Sequence, residues 1–355
     1  MAKYRFGDVV KEVKINVNRD NNPYEFYVAG DHLDSEDLII RRKGRFSTDD
    51  VGPAFTRIFH PGQVLYGSRR TYLKKVAIAD FDGICANTTF VLETKDNNIF
   101  TQELLPFIML SDRFTEWSVS HSKGSTNPYV LFSDLADFEI ELPDINSQRS
   151  LAKKLASAHN VKESYKTLLK CTDELVKSQF IEMFGQSSLD NGIIGDYLLL
   201  KAGKAMPADR ISSSKADGMF PCFGGNGIRG YVDSYNYDGD YAIIGRQGAL
   251  CGNVCLAQGK FYATEHAIVV TPKAIVDSTW LFFALNQMNL NQYARGVAQP
   301  GLAVNELEKL PFSVPDISKQ IEFSIIAQQA DKSKFELKKS IEAIDKVIKS
   351  LINNI

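Results

Sequence analysis

Two acids and a lysine in the first third of the chain have the types and spacing of a metal-dependent nuclease. Asp82, Glu93 and Lys95 could hold Mg2+ and activate a water. A second stretch, Gly225-Asn226-Gly227-Ile228-Arg229-Gly230, fits the GxGxxG of dinucleotide loops. That loop has to open a helix. Here YVDSYNYDGDY follows, which reads as turn and strand, so the run is a sharp glycine-rich loop whose backbone can approach a partner closely. No P-loop signature occurs, which argues against an ATPase. The five histidines, His32, His60, His121, His159 and His266, are scattered without HExxH or Cys/His spacing, which argues against a structural metal.

Asn127-Pro128-Tyr129 is similar to the Asn-Pro-Pro-Tyr motif of adenine methyltransferases but lacks one proline. No glycine-rich cofactor loop precedes it, and it reads as a turn ahead of a strand. The more persistent signal is basic and polar residues on loops. The first half has Arg41, Arg42, Lys43 and Arg45, then Ser68, Arg69 and Arg70, with Lys74 and Lys75 close by. The second half has Lys201, Lys204, Arg210, Asn226, Arg229, Arg246 and Gln247. Any one of these is by default a solvated surface group. Together they offer both contacts that DNA demands. Arg and Lys neutralise phosphates, while Arg, Gln and Asn can pair bidentately with base edges. The formal net charge is −2, so the cations must act through local concentration.

The elements that would position these residues are duplicated. From Asp144 to Phe184 the chain lacks Gly and Pro and predicts one helix of about forty residues, roughly 60 Å long. Leu142-Pro143-Asp144-Ile145 at its start returns as Val314-Pro315-Asp316-Ile317, offset by 172 residues, and a second long helix is predicted to Ile355. Upstream, Gly124, Asn127 and Pro128 fall on Gly296, Gln299 and Pro300 at the same offset. At an offset of 178, Gly67, Val76, Ile78 and Ala79 fall on Gly245, Val254, Leu256 and Ala257. Arg69 then aligns with Gln247 and Ser68 with Arg246, so the two copies carry different chemistry at matched places. Asp82, Glu93 and Lys95 align with Lys260, Thr271 and Lys273, and only the lysine survives.

Each copy mixes short strands with one or two helices and shows no regular βαβ alternation, which predicts α+β. Residues 63–79 read as two strands around a basic turn, GICANTTFVLE as another β-rich run, and helices are expected from Thr101 to about His121 and from about Ser278 to Tyr293. Gln186 to Asn191 is polar and breaks the chain. Hydrophobic residues make up 44% of the sequence, enough for real cores in two domains. No apolar run approaches a membrane span, and the N-terminus lacks a signal peptide's apolar stretch. Five cysteines without a CxxC pair suit a reducing cytoplasm, with Cys251 and Cys255 read as small buried thiols.

Within the second long helix Leu337, Ile341, Ile344, Ile348, Leu351 and Ile355 step by four and three, a heptad seam. The matching positions of the first are Tyr165, Leu169, Thr172, Val176, Gln179 and Met183. Two amphipathic helices, each packed on its own domain, would explain this. Helices packed on each other would explain it too, and pseudo-twofold symmetry makes that pair antiparallel.

Order and duplication of these features, from YGSRRTYLKKVAIADFDGICANTTFVL and ELPDINSQ through LKCTDELVKSQFIEMFG to the GGNGIRGYVDSY and IIGRQGALCGNV runs and SVPDISKQ, resemble the DNA-specificity subunit of a type I restriction–modification system. The resemblance implies a target recognition domain at 1–142, a spacer helix at 143–185, a second recognition domain at 186–314 and a second spacer helix at 315–355. Each recognition domain would read one half of a split sequence in double-stranded DNA, and the helices would form an antiparallel coiled coil that sets the gap. The resemblance further implies no catalysis by this chain and no bound cofactor. Two modification (methyltransferase) subunits would use S-adenosylmethionine to methylate adenine, and restriction subunits would use ATP and Mg. The readings from other classes are a stand-alone Mg-dependent endonuclease using Asp82, Glu93 and Lys95, and the scaffold of a related defence system.

Overall fold

The computed structural model describes residues 2–18, 21–185, 192–296 and 300–354. The expected break at Gln186 to Asn191, and Gln299 and Ile355 of the repeat and seam, lie outside these residues. The chain divides into two compact units, Met1–Lys166 with Lys338–Ile355, and Thr167–Leu337. Each unit therefore combines one globular part with a portion of both long helices.

The first globular part runs β1 (Ala2–Arg5), α1 (Phe6–Val9), β2 (Val10–Glu12), β3 (Phe26–Val28), β4 (Gly44–Arg45), β5 (Phe55–Phe59), β6 (Val64–Gly67), β7 (Val76–Ile78), β8 (Gly83–Ala86), β9 (Thr89–Thr94), α2 (Leu105–Leu110), α3 (Asp112–Ser120), α4 (Phe132–Ala136) and β10 (Glu139–Leu142). The first long helix, α5 (Ile145–Phe184), follows. The second part runs α6 (Ile194–Tyr197), β11 (Leu198–Ala202), β12 (Phe220–Gly224), β13 (Gly227–Val232), β14 (Tyr237–Asp238), β15 (Tyr241–Gly245), β16 (Val254–Ala257), β17 (Lys260–Ala263), β18 (Ala267–Pro272), α7 (Ser278–Gln287) and α8 (Val304–Leu307). The second long helix is α9 (Ile317–Asn353).

Strand order is the same in both parts. One sheet is β2-β9-β6-β7 in the first and β11-β18-β15-β16 in the second. The other is β4-β3-β8-β5 and β13-β12-β17-β14. Each of these second sheets holds one parallel pair, β3 with β8 and β12 with β17. Both faces of the first kind of sheet are covered at its inner strands, so β6 and β15 are apolar runs rather than alternating ones. In β6, Val64 and Tyr66 face the helical cluster and Leu65 the cluster beneath. In β15, Ala242 and Ile244 against Ile243 repeat the arrangement. The class is α+β, as expected.

Three expected elements are split. The GICANTTFVLE run breaks at Asn87-Thr88 into β8 and β9, which join different sheets. The break is fixed because the Asn87 amide donates to the Ala54 carbonyl while the Thr88 carbonyl accepts from the Ser68 amide, each at 3.0 Å. The helix expected from Thr101 to His121 is two, because Ser111 leaves helical geometry at ψ 151° and its hydroxyl caps α3 by accepting from the Phe114 amide. Likewise α7 ends at Gln287, and the Leu290–Tyr293 stretch is a separate 3-10 turn.

Where each long helix leaves its globular part, one buried glutamine makes the joint. Gln148 Nε2 donates to the Pro143 carbonyl, and its Oε1 accepts from the Thr101 amide. Gln320, 172 residues on, does the same with Pro315 and the Asp277 amide. Within each unit the helix segments pair antiparallel. In the first, Ala152 and Leu155 share a core with Ile352, and Lys162 bridges to Asp345. In the second, Lys334 bridges to Asp173 and Phe180 packs edge-on against Phe323. Of the seam residues, Val176 is buried and Tyr165, Leu169, Leu337, Ile341, Ile344, Ile348 and Leu351 are half-buried. Among the described residues no helix is long and apolar enough to cross a membrane.

Candidate nucleic-acid interface

The β6–β7 connection of the first unit is fastened to the loop that follows α3. Arg69 forms an antiparallel bridge with Tyr129. The Val130 amide donates to the Ser68 carbonyl at 3.0 Å and the Arg70 amide to the Pro128 carbonyl at 2.7 Å. The second unit repeats this residue for residue. Gln247 bridges Gly301, the Leu302 amide donates to Arg246, and the Gly248 amide donates to Pro300, the last two both at 2.9 Å. Asn127-Pro128-Tyr129 thus serves as the wall that holds a surface loop. The two loops have one backbone design and different side chains.

Several of the sequence-predicted cations are in place for an outside partner. Arg69, Arg70, Lys204, Arg229 and Gln247 are exposed, and the four cations make no ion pair among the described residues. Arg42 pairs with Asp34 and Arg45 with Glu25, both at the surface, where such pairs contribute little and can be exchanged. Lys43 lies 3.7 Å from the centre of the Phe26 ring and 4.3 Å from that of Phe81. Asn226 sits in the β12–β13 turn and accepts from Asn253 at 2.9 Å, which brings that turn to the 246–253 loop. Arg246 is half-buried and its guanidinium reaches the Glu265 carbonyl.

Three of the residues expected to contact DNA hold partners within the chain. Ser68 is buried and its hydroxyl donates to the Thr88 carbonyl at 2.7 Å. Lys74 is held by Asp112 at 2.7 Å and Glu36 at 3.5 Å. Arg41 joins Asp37 to Glu163 of α5. The sequence hides these roles because each partner is remote or in an irregular loop. Lys75, by contrast, shares its surroundings with Arg42 and Arg70. Burial first, then the Arg70 charge, holds its ammonium below the usual lysine range against the pull of Asp31 and Asp34, with Arg42 adding to the depression.

The nuclease-like residues serve separate partners. Asp82 binds His60 at 2.6 Å. Glu93 accepts from Gln63 at 2.7 Å and pairs with Lys11 at 3.0 Å, which together outweigh its burial and hold its carboxyl below the usual range. Lys95 donates to the Gly7 carbonyl, and Lys273 makes the same bond to Gly195. The lysine that survives in both copies is therefore a structural tie. Among the described residues the grouping of metal-type ligands is Asp37, His159 and Glu163, and the Arg41 guanidinium already spans its two carboxylates. Cys251 is buried, and burial pushes the half-buried Cys255 thiol up to about 11.

With this geometry in view, the comparisons with known proteins fall into line. The family model for the type I restriction modification DNA specificity domain matches residues 3–170 and again 191–345. The chain belongs to the type I restriction–modification DNA-specificity family. The double match of the family model is the duplication seen in the fold. The chain is 45% identical over 162 residues to the specificity subunit of the type I restriction enzyme EcoprrI from Escherichia coli, covering 45% of this chain and 39% of that relative. It is 30% identical over 114 residues to a putative type I specificity subunit, S.HindORF215P, from Haemophilus influenzae, covering 31% of this chain and 30% of that one. These matches thus span well under half the length of each relative. Among solved structures, the type I S subunit from M. genitalium superposes with a TM-score of 0.64 at 16% identity, over 99% of this chain and 95% of that one. A chain from a structure of type I R-M complex assembly and conformational transition gives 0.62 at 18% identity, over 99% and 96%. At such identities the superpositions speak for the specificity-subunit fold.

Proposed function

We propose that this chain is the sequence-reading and scaffold subunit of a type I restriction–modification complex. Each globular part reads one half of a bipartite target in double-stranded DNA, and the paired helices set the gap between halves. The observation that carries this is the duplicated loop joint, Arg69 on Tyr129 and Gln247 on Gly301, with unlike side chains on like backbones. Unlike readers on a repeated frame fit an asymmetric target. The exposed Arg and Lys residues supply phosphate contacts, and Arg, Gln and Asn supply base contacts.

On this reading the chain catalyses nothing itself and binds no cofactor. A methyltransferase must flip its adenine out of the stack, and a separate reader keeps the duplex in register while it does so. Two modification subunits therefore dock on the helices and bring S-adenosylmethionine. Restriction subunits bring ATP and Mg, and the complex works in the cytoplasm. Family membership and the complex described for one structural neighbour support this assignment.

Purified chain, tested for methylation and cleavage of DNA with and without a type I modification subunit that assembles with it, decides the matter. Sequence-specific adenine methylation only in the mixture is expected. Cleavage by the chain with Mg2+, lost in Glu93→Ala, would instead favour the endonuclease.

A further inference from the structure

The two reading loops share a backbone shape that is unfavourable in one of them. Arg70 and Lys74 are both left-handed, at φ 50° and 48°. Their counterparts at an offset of 178 are Gly248 and Gly252, left-handed at φ 97° and 87°. Glycine adopts this region freely, whereas a residue with a Cβ resists it. The first unit keeps the shape by fastening it. Thr71 is buried, the Arg70 amide is bound by Pro128, and the Lys74 ammonium is bound by Asp112 and Glu36. Such strain persists only where surrounding contacts over-determine it, and it clusters where function needs a fixed shape.

What the fixed shape presents is one large apolar side chain at the tip. Tyr72 is 55% exposed, and Leu250, its counterpart at the same offset, is 56% exposed. Exposed Arg69 and Arg70 precede the first tip in the chain, and half-buried Arg246 and exposed Gln247 precede the second. A fastened loop that carries groups able to bind phosphates or base edges, together with an exposed apolar residue, is suited to a groove rather than to water. Apolar groups there contact thymine methyls or wedge against base steps.

We propose that Tyr72 and Leu250 are the points of each reading loop that enter the DNA and are buried against base edges, one per half-site. This rests on the DNA-reading function above. Tyr72 can add its ring face and hydroxyl, while Leu250 makes apolar contact only, so the two tips favour different bases.

The test uses the full chain assembled with its modification subunit and a duplex carrying the methylated sequence that the complex recognises. Tyr72→Ala should weaken cognate binding about tenfold, the scale of one lost base contact, and relax discrimination in one half-site only. Leu250→Ala should do so in the other. The salt dependence of binding should stay unchanged for both and become shallower for Arg70→Gly, which keeps the backbone and removes a charge. Both tips are exposed, so folding should persist, which melting curves check. Parent-like affinity and discrimination in Tyr72→Ala and Leu250→Ala, with Arg69→Ala and Gln247→Ala still impaired, would overturn the tips and leave the readers standing. Loss of assembly with the modification subunit, at unchanged DNA affinity once assembled, would make the tips a protein contact and overturn the proposal. A parent complex with no sequence preference would overturn both readings.

Discussion

Arg69 and Tyr129 face each other across a single antiparallel bridge, with the guanidinium 5.9 Å from the centre of the ring. The same bridge recurs between Gln247 and Gly301, where neither the cation nor the ring survives. Backbone hydrogen bonds hold the two loops alike, so the side chains are free to differ without loss of fold. Gln247→Ala should therefore relax one half of the target by about 1–3 kcal/mol and leave the other half unaltered. Arg69→Ala should act only on the opposite half. Competition binding with duplexes mutated in one half at a time separates the two.

Arg41, expected among the DNA-contacting cations, fastens two carboxylates. Its guanidinium satisfies Asp37, which is only 8% exposed, and Glu163. Removing it strands a buried carboxylate. Arg41→Ala should cost about 1–3 kcal/mol of stability, where Arg42→Ala, at an exposed pair, should change it by less than about 0.5 kcal/mol. Urea unfolding of the two variants checks the contrast.

Beside that fastener lies His159, whose burial holds its imidazole below the ordinary 6.5, outweighing the pull of Glu163 and Asp37. The unfolded chain then takes up the proton first. As pH falls below 6.5 the unfolded state gains protons that the folded state refuses, and stability drops. Asp37 and Glu163 extend the loss to lower pH. Burial raises both, but Arg41 and Ile39 at the first and Lys166 and Arg41 at the second leave both depressed. Their contribution is present above the ordinary carboxylate range and lost as pH falls through the folded values. His159→Gln should flatten the stability profile between about pH 7 and about pH 5 while leaving the carboxylate limb in place.

Gln148 and Gln320 are each 1% exposed and bonded at both ends of the amide. Either change to Ala leaves an amide, buried at Thr101 and part-buried at Asp277, and a part-buried proline carbonyl unmet, costing about 1–3 kcal/mol. Local hydrogen exchange should loosen at Thr101 in the first variant and at Asp277 in the second.

The duplication was open to sequence reasoning because Leu142-Pro143-Asp144-Ile145 and Val314-Pro315-Asp316-Ile317 mark the same helix entry, and the long helices carry no breakers. The seam was open because heptad spacing is a local signal. Sheet assignment was not. β8 and β9 are separated by two residues and look continuous, and only contacts from Ala54 and Ser68 send them apart. The fate of each cation was equally closed to view. Lys74 and Lys75 are neighbours of one type, yet Asp112 claims the first, while the second donates to the Gly30 carbonyl. The left-handed pair at Arg70 and Lys74 gave no sign because the usual marker, glycine, is present only in the second copy.

The division of labour is tested most directly by mapping methylated adenines in cells whose specificity chain lacks one heptad from each of α5 and α9. The account predicts the parent's two half-sequences, with the gap between them changed or methylation lost altogether. Unchanged gap with new half-sequences would contradict it.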